Sequence, residues 1–268
     1  MPPRIHPTAI IDPVAELAAD VCVGPYAIID GPVRLGPGCV VRPRAHLVGP
    51  MTAGANNDFG IGCIIGERPQ HLKFPDGGCL IIGDGNTFRE GVTVHRSTPH
   101  SDGTRIGDRN YFMVHSHIAH DCVIGNDCTV VNNAALAGHV VLEDRVFVSG
   151  NVGIHQFCRI GKLAMISAGA TVSMGVPPYA VVFDRNELCG ANIIGMRRAS
   201  VPAEQIQAVR QAYRILLRSG LLLRDAVERI EKELGHFEAV AEVVKFLRLT
   251  DRVVCVNRSK RPRDADAA

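Results

Sequence analysis

Tryptophan is absent from this 268-residue chain, and aromatic residues make up only 5% of it. A wide core built on aromatic volume is therefore excluded in favour of a thin aliphatic one. No segment approaches the roughly 20 consecutive apolar residues that a bilayer span requires. The start of the chain, with Pro2 and Pro3 and no apolar run, does not read as a secretory signal. A cytoplasmic protein without a transmembrane segment is expected. Charge of one sign is also lacking, because 29 Lys and Arg stand against 27 Asp and Glu for a formal net charge of +2, so nucleic acid is not expected as a partner. The nine cysteines form an odd set with no C-x-x-C pair. Five of them, Cys39, Cys63, Cys122, Cys128 and Cys158, recur in one slot of a repeat, so they read as reduced packing residues, with neither disulfide nor metal role.

What the chain does have is an apolar side chain every six positions from residue 11 to residue 172. The anchors run Ile11, Leu17, Val23, Ile29 and onward to Ile65, resume with Ile82, Phe88 and Val94, and continue from Ile106 to Val172. Two places before each anchor the residue is usually small or β-branched, as in Ala27, Ser116, Ala134 and Ala164, and glycine often follows the anchor. A period of six is incompatible with the 3.6-residue helical pattern and implies short strands separated by turns. The pattern resembles the hexapeptide-repeat family, which implies an all-β left-handed parallel β-helix with three hexads per coil and about eight coils here. Only one large side chain per hexad fits inside so narrow a solenoid, which accounts for the small slot.

The hexads break twice, at 66–81 and 95–105, and these polar segments read as loops thrown out from the solenoid and carrying function. Consecutive prolines at 177 and 178 are expected to end the coils, giving a β-helix over 1–180. A C-terminal α-helical domain over 190–256 should follow. Its first helix is expected to start at Ser200 with Pro202 in the first turn and to end at Gly220, with two more over 221–234 and 237–249. The charged tail 257–268 reads as disordered.

Histidine supplies the chemical signal. His115, His117 and His120 lie within six residues, His139 follows 19 after His120, and His155 a further 16 on. With coils stacked roughly 5 Å apart these offsets place the imidazoles in one stripe of a solenoid face. Three readings are open: a metal site, solvated or packing histidines, and acid–base chemistry, the last favoured by Asp121 directly after His120.

The strings HIAHDC (117–122), LAGHV (136–140), IHQFC (154–158) and VPPY (176–179), with VTVHR (92–96) and PQHLK (69–73), resemble the acyl-carrier-protein:UDP-N-acetylglucosamine O-acyltransferase family of lipid A biosynthesis. The likeness runs from IHPTAII (5–11) to the C-terminal helices. It implies transfer of a 3-hydroxyacyl chain from acyl carrier protein to a UDP-sugar, with no cofactor, in a homotrimer. It further implies His120 as general base beside Asp121, the Gly138 amide as oxyanion donor, and substrate contacts from Lys73, His71, His117, His139, His155, Gln156, Asn192 and Arg198. Acyl length falls by the same resemblance to Ala168, flanked by Met165. Two departures keep the acceptor open between a 3-hydroxyl and a 3-amine: His71 stands where the family has aspartate, and Ile194 where relatives carry a polar residue. N-acylation of UDP-3-O-acylglucosamine and a non-catalytic scaffold are the remaining alternatives.

Overall fold

The computed structural model describes residues 5–74 and 76–249. Its hexads form strands mostly two to four residues long that wind into a parallel β-helix of three sheets, with nine, eight and ten strands. Sheet I begins with Ile10–Ile11, sheet II with Glu16–Leu17 and sheet III with Cys22–Val23, and each coil visits them in that order. Register follows the repeat: Ile10 pairs with Ile28 and Ile28 with His46. From Val23 onward the anchors are buried along the axis, with Ile11 and Leu17 of the first coil partly so, and the five cysteines in the small slot are buried free thiols. Phe59, Phe88 and Phe112 fill successive coils of sheet III, with ring centroids 5.4 and 5.0 Å apart and planes nearly parallel.

The corners are as regular as the strands. The third residue after an anchor turns the chain in the left-handed region, as at Asp121 (φ 61°), Asp127 (56°), Asn133 (59°) and His139 (62°). Asp, Asn and His tolerate this conformation better than bulkier residues, so polar side chains collect at the corners.

Both loops leave the same corner, between sheets I and II. The strands Ile64–Glu67 and Leu80–Ile82 flank the first, and Thr93–His95 and Thr104–Ile106 the second, so strand structure takes up the outer residues of each interruption. Across them the pairing continues, Ile64 with Thr93 and Thr93 with His117.

The prolines do not end the solenoid. Val176 still donates to Arg159 O at 2.9 Å, Pro177 and Pro178 occupy a turn where no ladder amide is needed, and Ala180–Phe183 then adds a parallel strand to sheet III. Glu187–Ala191 pairs with it in antiparallel sense. A short helix not foreseen from the sequence follows, α1 (Ile193–Arg198), capped by the Asn192 side chain, which accepts from Gly195 N. Ser200 does not start the next helix: it sits at φ 58°, and α2 (Ala203–Arg218) begins after Pro202 without a side-chain cap. Helices α3 (Leu223–Leu234) and α4 (Glu238–Leu249) complete the bundle. It is tied to the last coil by Tyr213 OH donating to Pro178 O at 2.6 Å, by Lys162 against Glu242 at 3.0 Å, and by Tyr179 OH on the same carboxylate. The expected disordered tail lies outside the described residues.

Candidate active site

The corner between sheets I and II holds the chemistry. His120 follows the strand His117–Ile118, and Asp121 takes the left-handed turn position beside it, both buried. His120 Nδ1 lies 2.6 Å from Asp121 Oδ2. A carboxylate only accepts, so the proton is on Nδ1 and Nε2 is left as the basic nitrogen. The other carboxylate oxygen, Oδ1, accepts the Thr98 N–H at 3.0 Å and the Thr98 hydroxyl at 3.3 Å. The Asp121 N–H donates to Thr104 Oγ1 at 2.8 Å. Burial alone pushes this carboxyl up, but the hydrogen bonds from His120, Ser101 and Thr98 outweigh it and hold the group below the usual carboxylate range.

Gly138 stands one coil above His120. A Cβ there would lie 2.6 Å from His120 Cε1 and 2.9 Å from Nε2, so glycine is what lets the imidazole occupy its place. His139 holds the next turn position, with Nε2 at 3.5 Å from Asp121 Oδ2 and its ring stacked on Phe157 at 4.5 Å. From the first loop His71 brings its ring to 5.3 Å from that of His120, edge to face, and stacks on Phe74. The Lys73 N–H donates to His71 Nδ1 at 3.2 Å, so the ring proton of His71 is on Nε2, while the Lys73 side chain is exposed. His117 bonds Thr93 Oγ1 at 2.8 Å and meets His95 edge on. Burial, then the neighbouring His95 and His120, pull His117 down to about 4. Burial also pushes His95 and His139 down, against partial opposition from the Arg68 carbonyl and from Asp121 respectively.

His120, Asp121 and His139 each offer a ligand atom, all within 4.8 Å of one another, so a metal ion is geometrically conceivable. Asp121 Oδ2 is already engaged by His120 Nδ1–H, and a metal would have to displace that bond.

The expected single stripe divides. His155 and Gln156, both exposed, share the corner of His120 two coils further on. His115 turns at the opposite end of its strand, between sheets III and I, and is not part of the cluster. Four other residues singled out from the sequence lie away from this corner. Met165 faces outward from sheet III, and exposed Ala168 lies in the turn that follows. Met165, Asn192 and Arg198 line a groove of about 700 Å³ between sheet III and α1, whose apolar wall includes Phe147, Val181 and Phe183. The Asn192 side chain donates to Leu163 O and accepts from Gly195 N, which fixes its amide at the edge of the groove. Exposed Ile194 lines the same groove. In a triangular solenoid sheet III is the side opposite the corner between sheets I and II, so one chain does not bring these groups together. Thr98 and Thr104, which fix Asp121, were not singled out by any spacing; their only signal was a position in the second hexad break.

A parallel β-helix carrying a buried His–Asp pair at a loop-covered corner defines the class, a hexapeptide-repeat transferase. Residues 103–138 match the profile described as bacterial transferase hexapeptide (six repeats), and 176–255 match Udp N-acetylglucosamine O-acyltransferase, domain 2. An acyl-[acyl-carrier-protein]–UDP-N-acetylglucosamine O-acyltransferase of Anaeromyxobacter sp. (strain Fw109-5) is 48% identical over 92% of this chain and 98% of its own length. That of Myxococcus xanthus is 48% identical over 93% and 98%. The crystal structure of UDP-N-acetylglucosamine O-acyltransferase from Moraxella catarrhalis superposes with a TM-score of 0.89 at 36% identity, over 94% of this chain and 99% of that one. The chain belongs to the acyl-[acyl-carrier-protein]–UDP-N-acetylglucosamine O-acyltransferase family.

Proposed function

We propose that this protein transfers a (R)-3-hydroxyacyl chain from acyl carrier protein to the 3-hydroxyl of UDP-N-acetylglucosamine, the first step of lipid A biosynthesis. The observation that carries the reading is the His120–Asp121 pair, which leaves a basic Nε2 beside Gly138 under the first loop. His120 Nε2 takes the proton of the sugar hydroxyl as its oxygen attacks the thioester carbonyl. The oxyanion of the tetrahedral intermediate is stabilised by the Gly138 N–H, which donates to no acceptor among the described residues. Collapse breaks the carbon–sulfur bond, and the proton on the imidazole passes to the departing thiolate. Asp121 keeps the imidazole in the required tautomer throughout. The donor arrives already activated as a thioester, so the reaction calls for no cofactor.

Substrate contacts are assigned to Lys73, His71, His117, His139, His155 and Gln156 at the corner, with Asn192 and Arg198 across the groove. Met165 and Ala168 then set acyl length, since each buried methylene is worth about 0.8 kcal/mol. Because the two groups lie on opposite sides of one solenoid, a complete site needs sheet III of a second copy against the corner of the first. A homotrimer meets this by presenting unlike faces to one another around a closed ring. The enzyme is assigned to the cytoplasm, where its carrier and nucleotide substrates meet.

The test is acyl transfer followed by mass spectrometry, with a ladder of 3-hydroxyacyl carrier proteins and either UDP-N-acetylglucosamine or its 3-amino analogue. O-acylated product that falls by roughly 10²- to 10⁴-fold in His120→Ala is the expected outcome. Product from the amine alone would replace the hydroxyl with a C3 amine as acceptor, and no product from either sugar would overturn the assignment.

A further inference from the structure

Four consecutive residues that open the second break, His95, Arg96, Ser97 and Thr98, are all buried, and each holds a different piece of the surroundings. His95 Nδ1–H donates to Arg68 O at 2.5 Å, where the first loop leaves the coil. The Arg96 guanidinium reaches the solenoid through Gly49 O at 2.6 Å and Gly66 O at 3.4 Å. It reaches the far end of the same loop through Gly77 O at 3.1 Å and the Asp76 carboxylate. Ser97 exchanges two bonds with Cys79, accepting its N–H on Oγ at 3.1 Å and donating its own N–H to Cys79 O at 3.2 Å. Thr98 gives both its donors to Asp121 Oδ1. One short segment thus grips both ends of the loop that carries His71 and Lys73, and in the next residue it grips the carboxylate behind His120.

Packing alone gives no reason for this arrangement. The Arg96 side chain is only 7% exposed, yet the Asp76 carboxylate that pairs with it is 68% exposed, so the interior charge depends on three backbone carbonyls together with a carboxylate at the surface. An unpaired buried cation is expensive, and a regular coil without the loop would have no use for one. What the guanidinium achieves is a fixed distance between loop and solenoid, because its planar fork fixes the direction of every bond it makes.

We propose that Arg96 and Thr98 are positioning residues for the acyl transfer, Arg96 setting the loop that bears His71 and Lys73 over the corner, and Thr98 setting Asp121 behind the base. The proposal rests on the O-acyltransferase reading above. It separates the two residues by what they govern: Arg96 acts on nucleotide-sugar binding and Thr98 on the chemical step.

Steady-state kinetics with the wild-type enzyme, Arg96→Met, Asp76→Asn, Thr98→Val and Thr98→Ser test it, each variant accompanied by a thermal melt. Arg96→Met and Asp76→Asn should each raise KM for the UDP-sugar about tenfold with kcat within about twofold. Thr98→Val should lower kcat about tenfold with KM unchanged, and Thr98→Ser, which restores the hydroxyl, should recover most of it. Asp76 is on the surface, so its isosteric variant takes the negative charge out of the same clamp without touching the interior and decides the matter if Arg96→Met does not fold. Wild-type product with an unchanged KM in Asp76→Asn, or with an unchanged kcat in Thr98→Val, would overturn the proposal alone. Equal changes of KM and kcat that track the melting temperature would reduce these residues to structural ones. An inactive wild-type enzyme would overturn the reaction reading and this proposal with it.

Discussion

Glycine at 138 illustrates how tightly single residues are specified at this corner. Its missing side chain is the space that the His120 ring fills, so Gly138→Ala should displace the imidazole and lower turnover by at least about 10²-fold in a chain that still melts cooperatively. A Gly138→Ala enzyme with near wild-type turnover would show that the ring tolerates the push. The buried imidazoles leave a second signature. His117 titrates near 4 in the folded chain against an ordinary 6.5, so it stays neutral when folded and gains a proton on unfolding below that ordinary value. Stability is therefore complete above about pH 6.5 and falls as the pH drops toward 4, with His95 and His139 adding in the same direction. Melting temperatures measured across this window should decline, and His117→Gln should flatten the slope; a curve already flat in the wild type would count against the burial. At this scale the His120–Asp121 pair was legible because the two are adjacent in sequence. The partners Thr98 and Thr104 were not, because a loop's path in space leaves no periodic mark.

Elements tell a similar story of pattern and exception. The hexads carried the strands, the three sheets and their register, since each anchor must point inward and each small slot must make room for it. Asn57, Asn86 and Asn110 break the small-slot rule beside the three stacked phenylalanines. They form a buried ladder in which Asn57 Oδ1 accepts Asn86 N–H and Asn86 Oδ1 accepts Asn110 N–H, both at 2.9 Å. Their polarity is satisfied from coil to coil, something the sequence does not reveal until the coils are stacked. Phe88 lies between the other two rings, and Phe88→Ala should destabilise the protein by about 3–5 kcal/mol in denaturant titration, because neither neighbour can close the gap without leaving its own coil. A loss below about 1 kcal/mol would mean that the stack relaxes as a unit. Helix α1 escaped the sequence reading because six residues with a central glycine show no amphipathic period, and Ser200 misled because a capping residue type is only a helix start where the backbone dihedrals agree.

For the whole molecule the separation of the His120 corner from the groove at Met165 and Arg198 has a direct consequence in solution. Light scattering should give three times the 28.8 kDa chain mass, and a monomer at micromolar concentration would contradict a site shared between copies. Mixing inactive His120→Ala chains with Arg198→Ala chains should restore activity in roughly a quarter of the sites, since each chain then supplies what its neighbour lacks. The far end of the solenoid also matters at this scale. After the last regular strand of each sheet the chain returns once more: Val176 bridges to Ile160, Arg185 bridges to Thr171, and Glu187–Ala191 closes sheet III in the antiparallel sense. A stack of parallel coils would otherwise offer the ladder groups of its terminal rung to any passing chain, the geometry from which fibrils grow. With all three edges answered from within and four helices following, the repeat carries its own terminator, and its length is set by the chain that encodes it.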